Sequence, residues 1–271
     1  MAMLTALLLA LSACGASSDS ETSEPMSGSM TVFAASSLNE ALTDIKADFV
    51  SEYPDLNLTI SFNGSATLAA QINRGAPADV FASASEVNMA DVADEGNLGS
   101  EPSAFVQNEL VIAVPEDNPF DVSDLNDLAA SEATVAVCAV EAPCGQISDR
   151  VLSASNSSPN IQTYEKSVKS TLAKLELGQV DAALVYRSDV LTASADLRPI
   201  PLSPELDPFA TYSIALVERA LNPEAGEAFI DYVRSASGQH VLEQYGYRSV
   251  LYGSPTTVVC AARGVAESSG Q

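Results

Sequence analysis

Phe33-Ala34-Ala35-Ser36-Ser37-Leu38 and, further on, Phe62-Asn63-Gly64-Ser65-Ala66-Thr67-Leu68 share one shape: an apolar strand-like run, a tight turn carrying serine, and a helix start. Such a turn leaves main-chain N–H groups without partners inside the helix, at the positive end of its dipole, with a serine hydroxyl beside them. Two such turns can hold one small anion between them.

Working outward, short β-rich runs alternate with helical stretches. Strands are expected over 31–34, 57–62 and 79–82, and helices over 38–53 and 66–74. Strands separated by helices of this length pair in parallel through βαβ crossovers, which makes the chain α/β. Glu109-Leu110-Val111-Ile112-Ala113-Val114-Pro115 is a strong strand, and after it the alternation restarts. Helices are read at 124–130, 146–154 and 170–178, and strands at 134–138 and 182–186. A third apolar strand at 212–217 precedes helices over 223–235 and 238–245. The body is long enough for two lobes of roughly 100 residues each.

The chain carries a formal net charge of −24 in 271 residues, with only 12 Lys plus Arg. No basic stripe exists to displace counterions, which excludes nucleic acid as a partner. Bulk electrostatics repel an anion, so local dipoles and neutral donors must hold it, at a range where salt screens distant carboxylates beyond about 8 Å. The acidity itself reads as a solvated surface.

Residues 4–11 form an apolar run too short for a bilayer, which needs about 20 residues, but suited to the core of a signal peptide. The run ends in Leu11-Ser12-Ala13-Cys14-Gly15, small residues before a cysteine, as in a lipobox. Cys14 is therefore expected to carry lipid and anchor an exported protein to the outer face of the membrane. Residues 16–30 are poor in apolar side chains and read as a flexible tether, so that 1–30 is leader and tether. Residues 251–271 find no place in the alternation and read as a disordered extension containing Cys260. In an exported protein Cys138 and Cys144 are expected to form a disulfide worth about 2 kcal/mol. A metal site is the weaker reading of the pair, because the chain's single histidine, His240, lies far along the sequence.

The chain resembles the periplasmic-type molybdate-binding proteins of ABC importers. The matching segments are Val32-Phe33-Ala34-Ala35-Ser36-Ser37-Leu38, Gly64-Ser65-Ala66-Thr67-Leu68-Ala69, the run from Gln71 through Gly75-Ala76-Pro77-Ala78-Asp79-Val80-Phe81-Ala82-Ser83-Ala84, and Leu184-Val185-Tyr186-Arg187-Ser188-Asp189. Their joint order and spacing are far more specific than any one of them. The resemblance implies a type II periplasmic-binding-protein fold: two α/β lobes, joined by two crossing strands at 110–114 and 212–217, with the ligand in the cleft between. Lobe I would take 31–108 plus 209–250, and lobe II 109–208.

The same resemblance implies a monomer that takes up molybdate or tungstate without a cofactor and hands it to a membrane permease, and it implies no enzymatic activity. Carried over position by position, the molybdenum would be held as molybdate by the hydroxyls of Ser37, Ser65 and Tyr186 and the amides of Cys144 and Val168, with Ser36 as a rival to Ser37. None of these is Asp or Glu. A site of donors alone suits a fully deprotonated dianion, which favours molybdate, tungstate or sulfate over phosphate unless Asp79 or Asp189 points inward. Hydrogen bonds to a charged partner contribute roughly 1.5 to 3 kcal/mol each, so about seven exceed the roughly 11 kcal/mol of a 10 nM site before closure costs.

Each residue has a plainer reading. Ser37 and Ser65 also fit helix N-caps worth about 1 kcal/mol each, and Tyr186 fits a packed strand aromatic. An exported serine hydrolase is the rival function, with His240 as its sole histidine base, but no Gly-x-Ser-x-Gly elbow accompanies the serine turns. A related fold binding sulfate, iron or a small organic anion is the other rival.

Overall fold

The computed structural model describes residues 26–251. Cys14 with its leader, and the extension with Cys260, lie outside the described residues.

The first strand, β1 (Gly28–Ala35), starts three residues before the expected Thr31 and leads through a 3-10 turn at Ser36–Leu38 into α1 (Asn39–Glu52). There follow β2 (Leu56–Asn63), α2 (Ser65–Asn73), β3 (Val80–Ser83) and α3 (Glu86–Asp94). β1 pairs in parallel with β2 on one side and β3 on the other, as the βαβ pattern requires. Asp79 sits just ahead of β3, where its buried carboxylate accepts from the main-chain N–H groups of Thr31, Leu221 and Asn222 at 2.7, 2.5 and 2.8 Å. That carboxylate is committed to main-chain donors and staples strand ends together.

β4 (Ser103–Pro115) is a 13-residue strand, longer than the apolar run that announced it. Beyond it come α4 (Leu125–Ala130), β5 (Thr134–Cys138), α5 (Pro143–Ser155), β6 (Asn160–Glu165), α6 (Val168–Glu176), β7 (Ala182–Tyr186), α7 (Arg187–Leu191) and β8 (Leu197–Pro201). The chain ends with β9 (Phe209–Leu216), α8 (Pro223–Arg234), α9 (Ala236–Gln244) and the short β10 (Arg248–Ser249). The sequence reading did not register α3, α7, β6 or β8. β6 alternates exposed and half-buried residues with little apolar signal, and β8 contains two prolines.

The sheet runs β2-β1-β3-β9-β4-β7-β5-β6, with β8 and β10 both laid on β4. Residues 103–109 of β4 pair with β9, and residues 110–115 pair with β7 and β8. One strand thus leaves the first half of the sheet and enters the second between Glu109 and Leu110, and the body is two-lobed α/β. β9 itself pairs with β3 and β4, within the first half. The return crossing therefore falls ahead of Tyr212, where Leu110 N–H donates to the Pro208 carbonyl at 2.7 Å.

Both halves are built on strands buried on both faces. All five residues of β7, which runs parallel to β5 and antiparallel to β4, are buried, as befits a central strand covered on both faces. In the first half the Phe49 ring meets the edges of Phe229 and Tyr232, pinning α1 to α8.

Candidate functional site

The turn serines and the second-half residues meet at one place. A small cavity, about 10 Å³ of room for the centre of a water-sized sphere, is lined by Ala35, Ser36, Ser37, Gly64, Ser65, Ala84, Pro143, Cys144, Ser167, Val168 and Tyr186. Every residue singled out for the oxyanion is among them, drawn from both halves of the sheet. The room is that of about one water-sized sphere, which suits a guest of a few atoms and no sugar or peptide.

The local folding explains why donors face inward. Ser65 is the first residue of α2, and the N-cap before it, Gly64, offers no side-chain cap. Ser37 lies within the 3-10 turn, whose start at Ala35 is likewise uncapped by a side chain. Neither serine is a helix N-cap, so the capping alternative falls away. Instead, Ser65 Oγ accepts from Ala84 N–H at 3.0 Å, and Ser37 Oγ lies 2.8 Å from Tyr212 OH.

From the second half, Cys144 is the second residue of α5, after Pro143 and an N-cap, Ala142, without a side-chain bond. Its sulfur is committed to the disulfide with Cys138, with Cα atoms 5.7 Å apart, so the amide is what it offers. Gly145 follows because an added Cβ there would sit 1.9 Å from the Ala139 carbonyl oxygen. Val168 opens α6, where Ser167 accepts from Ser170 N–H in a capping box and leaves the first N–H groups of the helix free of intrahelical partners. The cavity thus brings together residues at helix starts from both halves, where main-chain N–H groups lack intrahelical partners and the positive dipole end lies.

Tyr186 ends β7. Its hydroxyl is fully buried and, among the described residues, has no hydrogen-bond partner. Burial, with smaller pushes from Tyr212 and Asp189, holds the phenol well above its ordinary range, so it keeps its proton and stands as a donor. A buried polar group left unmet costs about 1–3 kcal/mol, and the cavity is where this one can be met.

No residue lining the cavity is charged. Asp189 is completely buried but does not line it; it lies 3.2 Å from Lys169 Nζ, close enough for an ion pair though not aligned as a hydrogen bond. Lys169 in turn donates to both carboxylate oxygens of Glu40. His240 is on the exposed side of α9, with its ring nitrogen 3.1 Å from Gln244 Nε2, so no imidazole stands beside either serine turn. Among the described residues no group of three or more His, Cys, Asp or Glu is placed to hold a metal ion, and no helix is long and apolar enough to cross a membrane.

Two halves of a sheet that share one long strand and close on a small chamber of neutral donors make the architecture of a solute-binding protein, not of an enzyme. The chain belongs to the bacterial extracellular solute-binding protein family, which matches residues 30–248. It is 36% identical over 249 residues to the molybdate-binding protein ModA of Mycobacterium tuberculosis, covering 90% of this chain and 95% of that protein. Among solved structures it is similar to a substrate-binding domain assigned to a molybdenum ABC transporter of Clostridium difficile, at 28% identity and a TM-score of 0.64, over 82% of this chain and 99% of that one. The sulfate-binding protein SubI of Mycobacterium tuberculosis superposes with a TM-score of 0.70 over 82% of this chain and 87% of its own, at 16% identity, a likeness of fold alone.

Tyr212, Asn108, Ala84 and Gly64 were not singled out from sequence. Gly64 opens one matched segment and Ala84 closes another, and those segments gave the only signal. Tyr212 touches Ser37 across 175 residues of chain, a distance at which no spacing argument operates.

Proposed function

We propose that this protein captures molybdate, with tungstate as an alternative guest, and delivers it to the membrane permease of an ABC importer. On this reading the oxyanion is held by the hydroxyls of Ser37, Ser65 and Tyr186 and by the amides of Cys144 and Val168, with Ser36 at the rim. Lobe I takes residues 31–108 and 209–250, lobe II takes 109–208, and the two close over the guest as a monomer. Cys14 carries the lipid that keeps the exported protein at the membrane surface.

The observation that carries the reading is the Tyr186 hydroxyl, a buried donor with no hydrogen-bond partner among the described residues, at a cavity lined by uncharged groups. The Ser65 oxygen already accepts from Ala84 N–H, which leaves its own proton for a guest, and Ser37 Oγ shares a hydrogen bond with Tyr212 OH. Donors without acceptors fit a tetrahedral dianion that carries no proton. The 36% identical relative named for molybdate supports that choice of anion.

Thermal unfolding with molybdate, tungstate, sulfate and phosphate in parallel tests it. A ligand at 1,000 times its dissociation constant adds about 4 kcal/mol, a clear rise in midpoint. A rise with molybdate and tungstate is expected. A rise with sulfate alone replaces the guest while keeping the site, and no rise with any of the four overturns the reading.

A further inference from the structure

Asn108, buried in the part of β4 that pairs with β9, holds a position from which the direction of a chain of hydrogen bonds can be worked out. The main-chain N–H of Glu109 donates to Asn108 Oδ1 at 3.0 Å. A main-chain N–H can only donate, so the oxygen of the amide is fixed there and Nδ2, with its two hydrogens, faces the other way.

Two branches leave Nδ2, and both end on Ser37. One runs to Ser188 Oγ at 2.7 Å, on from that hydroxyl to Tyr247 OH at 3.4 Å, and from Tyr247 to the main-chain carbonyl of Ser37 at 2.6 Å. A carbonyl only accepts, so every proton in this branch points toward Ser37. The other runs to Tyr212 OH at 3.4 Å and on to Ser37 Oγ at 2.8 Å. Tyr212 accepts from Asn108, and Ser37 Oγ is its other partner within hydrogen-bond distance among the described residues, so we assign the Tyr212 proton to Ser37. The reverse arrangement would leave the Tyr212 proton facing an amide nitrogen that has no lone pair to give. Burial pushes both the Tyr212 and Tyr247 phenols well up, so each keeps the proton that its branch requires.

We propose that Asn108 and Tyr212 fix the polarity of Ser37, occupying one lone pair of its hydroxyl and directing its proton to the guest, and so favour a dianion without a proton over one that still carries one, such as hydrogen phosphate. Neither residue touches the guest; both are positioning residues acting through Ser37. The inference rests on the oxyanion reading of the site and adds to it the origin of its selectivity. Ser65 has its polarity set locally by Ala84 N–H, whereas that of Ser37 is imposed from the crossing strands.

Asn108→Asp tests this by near-isosteric reversal. Its carboxylate keeps the bond from Glu109 N–H but presents an acceptor where Nδ2 presented donors. Tyr212 then donates to residue 108, Ser37 donates to Tyr212, and a lone pair of Ser37 faces the cavity. The added charge weakens both dianions alike, so the readout is the ratio of molybdate to inorganic phosphate affinity at neutral pH, by titration calorimetry on wild type and variant. The ratio is expected to fall about tenfold, the effect of reversing one hydrogen bond. Tyr212→Phe keeps the ring against Phe105, Tyr186 and Tyr247. It is expected to weaken molybdate about fivefold and to narrow the ratio less than Asn108→Asp does. A wild-type ratio in Asn108→Asp overturns the relay while molybdate binding by the wild type keeps the site. Should Asn108→Asp not fold, a ratio in Tyr212→Phe within about twofold of wild type overturns it equally. Wild-type protein that binds neither anion overturns the oxyanion reading and the relay with it.

Discussion

Lys169 donates from Nζ to both carboxylate oxygens of Glu40 at 2.9 Å, joining the start of α6 in the second half of the fold to the first turn of α1 in the first. The same ammonium lies 3.2 Å from Asp189 Oδ1. Burial pulls the Lys169 pKa down, but Asp189 and Glu40 outweigh it and hold it above the ordinary value. Asp189 belongs to the same half as Lys169, so Glu40 is the partner contributed by the other half.

Glu40→Gln should therefore loosen the closed state without touching the cavity. Both side chains are about a third exposed, and such pairs contribute about 1 kcal/mol or less. Oxyanion release should speed up by about twofold to fivefold, measured by stopped-flow displacement, with little change in association. An unchanged release rate would show that the pair does not hold the halves together.

Tyr186→Phe separates binding from stability. The hydroxyl has no partner among the described residues, so its removal takes no protein hydrogen bond away and relieves a buried unmet donor. The unliganded midpoint should stay or rise, while molybdate affinity falls about tenfold or more, the value of one hydrogen bond to a charged guest. A drop in unliganded stability with affinity intact would make Tyr186 a packing residue.

Gly64→Ala places a methyl group where the two halves approach each other. An added Cβ would lie 2.9 Å from the Lys166 main-chain oxygen on the far side of the cleft. Separation of the halves relieves that clash, so the open form tolerates the methyl group and the closed form resists it. Affinity should fall about tenfold while the unliganded midpoint moves only by the small N-cap preference of glycine over alanine. Calorimetry beside thermal unfolding reads both quantities.

Asp189 should leave a signature in the pH dependence of stability. Burial pushes its carboxyl up to about 7 against the pull of Lys169. Between about 4, where the unfolded chain releases the proton, and about 7, the native state holds more protons than the unfolded one. Its contribution is full below that window and is lost as the pH rises through it. Asp189→Asn removes the slope, so its stability relative to wild type should climb by up to about 1.4 kcal/mol per pH unit across the window and level off above it. Parallel curves for the two proteins would show that Asp189 is ionised throughout.

Much of the candidate site was legible because its chemistry is local. Ser37 and Ser65 each stand at or beside a helix start, and a helix start is written in a few consecutive residues: a strand, a small polar turn, then helix-forming spacing. Cys144, Val168 and Tyr186 were readable only through the resemblance, since an amide carries no side-chain signal and an aromatic at the end of an apolar strand is ordinarily core. The same locality explains the elements missed. α7 is a five-residue helix and β8 a strand broken by prolines, and neither carries enough periodicity to stand out.

By itself the sequence determined the α/β alternation, the acidity that rules out a bulk electrostatic attraction for anions, and the serine turns that present neutral donors, because each follows from neighbours along the chain. Only the tertiary structure decided what those turns do. It carried β4 from one half of the sheet to the other, set Ser37 against Tyr212 across 175 residues, left the Tyr186 hydroxyl at a cavity with no partner among the described residues, and committed Asp79 and Asp189 elsewhere. Hydroxyl direction and unmet donors depend on which atoms lie within about 3 Å, and contacts at that range between distant segments exist only once the chain has folded.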